Sequence, residues 1–146
     1  MHLALAPGFV ASARVSDAVL AGVRDRLAEA GAFEGGPGYP RVEVEVLRVD
    51  ETSEGIAARG GLPVARGLRL AVLGRARLIR APGEPPSLDT ADVRASVIIG
   101  SEGEPRGAML AREEALRGAA LGLGRRLADR LLGVPSASDE GDGPDF

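Results

Sequence analysis

RVEVEVLRV, residues Arg41–Val49, decides the fold. Val42, Val44 and Val46 alternate with Glu43 and Glu45, the period of two that turns one strand face to a core and the other to water. Leu47 follows Val46 directly, and that double apolar step predicts a bulge or the end of the strand. A strand apolar on one face needs a covering layer on that face only, so the flanking segments are read for elements that supply it.

Upstream, Leu3 and Leu5 alternate with Ala4 and Ala6 before Pro7-Gly8 ends the run, which predicts a short strand within His2–Phe9. Ser16 then stands as a helix N-cap, with Asp17 complementing the helix dipole. Val19, Leu20, Val23, Leu27 and Ala30 recur at spacings of three and four, and Gly31 supplies the stop. Glu34–Pro40 is a glycine- and proline-rich loop.

Downstream, Asp50–Gly67 is polar and turn-rich, so it reads as a long hairpin loop or as a frayed extension of two strands. Leu68, Leu70, Val72, Ala76 and Leu78 then line one face of a strand, with Arg69, Arg75 and Arg77 on the other. Ala81–Ser87 is a turn. The last strand, about Asp89–Ile99, places Ala91, Val93, Ala95, Val97 and Ile99 inward and Asp92, Arg94 and Ser96 outward. Gly100–Gly107 is a loop, and a second helix over Ala108–Leu132 carries Met109, Leu116, Ala120, Leu123, Leu127 and Leu131 on one stripe until Gly133 and Pro135 end it. Gly118 and Gly122 make a small-xxx-small spacing within it, which close approach to the sheet or compositional bias explains.

The order β-α-β-β-β-α, with single-faced strands and single-striped helices, has one economical solution. It is a two-layer α/β sandwich: a four-stranded mixed sheet with both helices on one face, its first two strands parallel and the rest an antiparallel meander. Residues 1–133 form this single domain, and residues 134–146, acidic and rich in small residues, form a disordered tail.

Composition narrows the function. At 45% hydrophobic and 27% charged residues the chain is ordinary globular protein, and no apolar run approaches the roughly 20 residues that cross a bilayer. The net charge of −3 leaves no overall footprint for nucleic acid. Cys is absent and His occurs once, so no metal site or Cys/His nucleophile is expected, and no cofactor fingerprint occurs. Lys is also absent, so every basic side chain besides that His is Arg, and a high G+C genome explains much of that bias. Met1–Val10 lacks the basic start, apolar stretch and cleavage site of a signal peptide.

Glu43 and Glu45 have the spacing of an acid/base carboxylate pair. Arg69, Arg75, Arg77 and Arg94 share their face, however, and cross-strand ion pairing accounts for both carboxylates. The remaining constellation is Arg59, Arg66, Arg106 and Arg112, which the topology brings to the end where the second and fourth strands finish. Guanidinium groups there suit phosphate or carboxylate, or are solvated side chains. The polar sheet face, with no covering layer, is a second candidate surface.

The sequence resembles the lipopolysaccharide-assembly lipoprotein LptE family over roughly Leu3–Leu132. The resemblance is carried by the strand LALAPGF, the helix SDAVLAGVRDRLAEAG, the strand RVEVEVLRVDETSEGIAA, the strands GLRLAVLGRARLI and DTADVRASVI, and the terminal helix AREEALRGAALGLGRRLADRLL. It implies a non-enzymatic outer-membrane lipoprotein facing the periplasm, seated in an LptD-like β-barrel and contacting lipopolysaccharide. In that reading Arg59, Arg66, Arg106 and Arg112 are the lipopolysaccharide-contacting candidates, no cofactor or nucleic acid is involved, and the membrane is met through an N-terminal lipid anchor that this sequence does not carry. The alternatives are a cell-envelope scaffold or enzyme-regulating interaction module, and a cytoplasmic domain if Met1 is the native start.

Overall fold

A computed structural model describes residues 1–7, 12–59, 62–100 and 105–135, with 54–59, 62–66 and 105 described by backbone alone. The elements are β1 (His2–Leu5), α1 (Ala13–Glu29), β2 (Arg41–Arg59), β3 (Leu62–Ile79), β4 (Leu88–Asp89), β5 (Val93–Gly100) and α2 (Pro105–Leu132). β1 runs parallel to β2, β2 and β3 form an antiparallel hairpin, and β4 and β5 both pair with β3 on its other side. The expected mixed sheet of four positions is thus present, its fourth position divided between β4 and β5.

The valines of the deciding stretch behave as their alternation requires. Val42 and Val44 are fully buried and Val46 nearly so, packed with Val19, Val23 and Leu27 of α1 and with Leu123 and Leu127 of α2. The sheet register shifts between Val46 and Arg48, a bulge at Leu47. It reverses the parity of β2: Val46 pairs with Gly74 in the helix-side row, but beyond it Val49 pairs with Val72 and Glu51 with Leu70 in that row.

Asp50–Gly67 is an extension of two strands and not a loop, since pairing continues from Asp50↔Ala71 to Arg59↔Leu62. β5 stops pairing at Gly67↔Gly100, so beyond that point β2 and β3 continue as a two-stranded arm. Five other expectations need correction. The α1 cap is Ser12, whose Oγ accepts the Val15 N–H at 3.4 Å; Ser16 lies within the helix, buried at 8% exposure, and Asp17 is outside the first turn. The last strand is interrupted at Thr90, whose Oγ1 accepts the Ala76 N–H at 2.9 Å in place of a strand partner. Ala91 then adopts φ 57° and turns to solvent, not inward. α2 begins at Pro105, a residue suited to the first helical position because it has no N–H to leave unpaired. Met109, expected in the core stripe, is 66% exposed, because the first two turns of α2 overhang the start of α1, where Arg14 stands 4.0 Å from Glu113.

The two helices lie parallel: Arg14 faces Glu113 near their starts, and Arg26 meets Asp129 at 2.6 Å near their ends. They touch backbone to backbone at Gly22 and Gly124. A Cβ on Gly124 would stand 2.1 Å from the Val19 carbonyl oxygen, and one on Gly22 would stand 2.2 Å from that of Leu121. Gly118 and Gly122 have open space around them, so of the two explanations for their spacing close approach to the sheet does not apply and compositional bias remains. The close approach of α2 to the sheet falls at Gly74, where Leu123 fills the room a side chain would take. The expected tail at 134–146 lies outside the described residues from position 136 onward.

Candidate functional site

Arg112, on the third turn of α2, is held by β2. Its Nε donates to Glu51 Oε1 at 3.1 Å and its Nη2 to Oε2, a two-pronged pair between half-exposed side chains. The hydrogen bonds to Glu51, and secondarily its charge, raise the guanidinium pKa further above its ordinary value. Arg112 therefore reaches the site already engaged with a carboxylate. Glu51 was not among the sequence candidates. The signal lay in the Val46-Leu47 step, because a bulge there moves odd-numbered residues of β2 into the helix-side row.

Arg106 is exposed in the first turn of α2, six residues and about 9 Å before Arg112. Arg59 ends β2 opposite Leu62, and Arg66 pairs with Gly55, so both sit on strands of the arm and not in a loop. Their side chains lie outside the described residues. Arg59 is eight residues beyond Glu51, about 26 Å along an extended strand. The four arginines are thus strung along one end of the molecule and not drawn into one pocket.

The described surface has two concavities, of which the first includes Arg112. Below the start of α1, the helices diverge from their glycine contact and leave a groove of about 730 Å³. Val15, Ala18, Leu116 and Leu121 contribute apolar lining, with Arg14, Asp17 and Glu113 among the charged groups. A smaller hollow of about 380 Å³ lies between β1 and α1, against Leu3, Leu5, Leu20 and Phe33.

The uncovered sheet face is an array of ion pairs. Arg41 meets Glu43 at 2.6 Å and stacks over the Tyr39 ring at 4.7 Å. Arg75 bridges Glu45 at 3.8 Å and Asp92 at 3.1 Å, Arg77 meets Asp89 at 3.3 Å, and Arg48 meets Asp50 at 3.0 Å. Glu43 and Glu45 are thus taken up in ion pairs, although Glu43 takes a partner two residues along its own strand and not across the ladder. His2 is structural: its Nδ1 lies 3.0 Å from the Gly36 carbonyl, its Nε2 lies 2.9 Å from Glu34, and Gly38 packs against the ring. Among the described residues no cluster of His, Cys, Asp and Glu is arranged to hold a metal ion, and no helix is long and apolar enough to cross a membrane.

No family model matches the chain, and no curated protein matches it. Solved structures do. A protein from Caulobacter crescentus CB15 described as a lipoprotein shares the fold at a TM-score of 0.59 and 22% identity, over 92% of each chain. A minor lipoprotein from Acinetobacter baumannii superposes at 0.60 with 10% identity, over 90% of each chain. Rare lipoprotein B from Shewanella oneidensis gives 0.53 with 11% identity, over 91% of this chain and 95% of that one. At these identities the likeness concerns architecture: the structural neighbours are lipoproteins, rare lipoprotein B among them, and this chain has their fold.

Proposed function

We propose that this chain acts as an LptE-like lipoprotein of the outer membrane, facing the periplasm and assisting lipopolysaccharide assembly as partner of an LptD-like β-barrel. The role is non-catalytic and uses no cofactor. The observation that carries the reading is the fold held in common, over 90% or more of both chains, with three lipoproteins that include rare lipoprotein B. The sequence resemblance to the LptE family points the same way.

The geometry suits such a role. β1 starts beside Arg41, at the beginning of β2, whereas the arm that carries Arg59 and Arg66 is at the far end of β2. A lipid anchor on the N-terminal side holds one end of the sandwich at the membrane and presents the other. Lipid A phosphates are tetrahedral anions, and a planar guanidinium binds two of their oxygens through paired hydrogen bonds; Arg106 stands exposed at that same end. Arg112, paired with Glu51, contributes by fixing α2 against β2.

Reversing Arg59, Arg66 and Arg106 to Glu is expected to weaken lipopolysaccharide binding about tenfold or more while leaving the melting temperature within about 2 °C. Intact binding in the triple variant overturns the assignment of these residues. Capture from solubilised envelope membranes separates the partner classes: recovery of a large β-barrel supports the proposal, and recovery of a cell-wall enzyme in its place supports a regulatory scaffold.

A further inference from the structure

The groove of about 730 Å³ at the starts of α1 and α2 has a floor and a rim of different chemistry. The floor is apolar: Val15 and Ala18 are buried, and Ala21, Leu116 and Leu121 are half-buried. The rim is charged and faces water. Arg14 and Glu113 stand 4.0 Å apart there, both well exposed, with Asp17, Glu114 and Arg117 exposed beside them. An apolar interior under a polar rim is the pattern of a small-molecule site, and the volume lies inside the roughly 300–1,000 Å³ that such sites occupy.

The apolar track continues beyond the start of α1. Leu110, 64% exposed, lies on the stripe of α2 that runs on through Arg117 to Leu121, about 16 Å along the helix. Arg106 precedes Leu110 by one further turn. It is exposed, it is the only charged residue in Pro105–Ala111, and among the described residues it holds no carboxylate. We propose that this groove holds one acyl chain of lipid A, entering past Leu110 and leaving its phosphate-bearing headgroup at Arg106. The identity of the ligand rests on the lipopolysaccharide reading; the place and the direction of the chain rest on the groove.

Hydrogen bonding selects a hydrocarbon over a peptide as occupant. The walls are helices, whose backbone groups past the first turn are spent within each helix, and Ser12 Oγ at the groove already accepts the Val15 N–H. A peptide laid here buries N–H and C=O groups against apolar side chains that offer no partner, a cost that methylene groups do not incur. Charge selects the direction. Along the groove Asp17, Glu113 and Glu114 balance Arg14, Arg112 and Arg117, so an anion gains nothing there. It gains at Arg106, beyond the carboxylates and at the end of the molecule where the β2–β3 arm projects. The chain therefore lies inside and the headgroup outside.

The test is binding of purified lipopolysaccharide, and of its fully deacylated form with phosphates retained, to the full chain and to two variants. Ala21→Phe fills the groove from α1, and Leu110→Ser removes its lip at a position too exposed to disturb folding; if Ala21→Phe does not fold, Leu110→Ser decides alone. The unaltered protein is expected to bind the intact form about tenfold or more tighter than the deacylated one, and Ala21→Phe to bind both alike at the deacylated level. Leu110→Ser should lose about threefold for the intact form and nothing for the deacylated one. Unchanged binding of the intact form in both variants overturns the inference and leaves the lipopolysaccharide reading standing. Absence of binding of either form to the unaltered protein overturns both. Loss of β-barrel capture in Ala21→Phe with lipopolysaccharide binding intact also overturns the inference, and assigns the groove to a protein partner.

Discussion

Four glycines on two helices separate packing from composition. At Gly124 an added methyl meets the Val19 carbonyl oxygen and the Val23 amide, backbone atoms that move only if the helices part. Gly124→Ala is expected to cost about 1–3 kcal/mol, and Gly118→Ala, with nothing in its way, to gain up to about 1 kcal/mol from helix propensity. Chemical denaturation of the two single variants checks both signs. The residue scale also sets an acid response. Arg125 donates to both oxygens of Glu29 at 3.0 and 2.9 Å, and these hydrogen bonds, with the neighbouring positive charges, hold the Glu29 carboxyl below its ordinary range against a smaller opposing effect of desolvation. A carboxyl lowered in the folded state stabilises above its unfolded value and loses that contribution as pH falls through its folded value. Glu29→Gln should therefore lower the melting temperature at neutral pH, and the difference from the unaltered protein should vanish in acid. A difference that persists unchanged at low pH assigns the effect to something other than the charge.

At the scale of elements, the tie between α2 and the β2–β3 hairpin is the Arg112–Glu51 pair. Its side chains are nearly half exposed, so Glu51→Gln is expected to cost less than about 1 kcal/mol globally. Its local effect is to loosen the start of α2, read as faster amide exchange at positions 108–112 than at 123–127. Equal change in both segments contradicts a local tie. Those same elements show how far the sequence was legible. Val42, Val44 and Val46 sit where one face is buried, and burial on one face is what writes an alternating pattern. Beyond Gly100 the hairpin runs on as two strands without a third neighbour, and its composition there is rich in glycine and polar residues, so loop and strand read alike. The interruption at Thr90 rests on one side-chain oxygen taking a ladder hydrogen bond, and no spacing announces that. Ser12 and Ser16 are four residues apart and equally fit to cap; which one does so depends on where the chain arrives from β1. Of the candidate arginines, grouping at one end follows from strand direction, whereas the occupied state of Arg112 depended on the bulge at Leu47.

For the whole molecule, polarity along the long axis is the organising feature: the start of β1 at one end, and the β2–β3 arm with the overhanging start of α2 at the other. Lipoproteins of three organisms share this architecture. The most direct measurement of the central claim is the binding of purified lipopolysaccharide to the unaltered protein across a salt series, with phosphate-stripped lipid A as the control. Saturable binding that weakens as salt rises and is lost with the phosphates is the predicted result. Binding that is absent, or indifferent to both salt and phosphate, contradicts it.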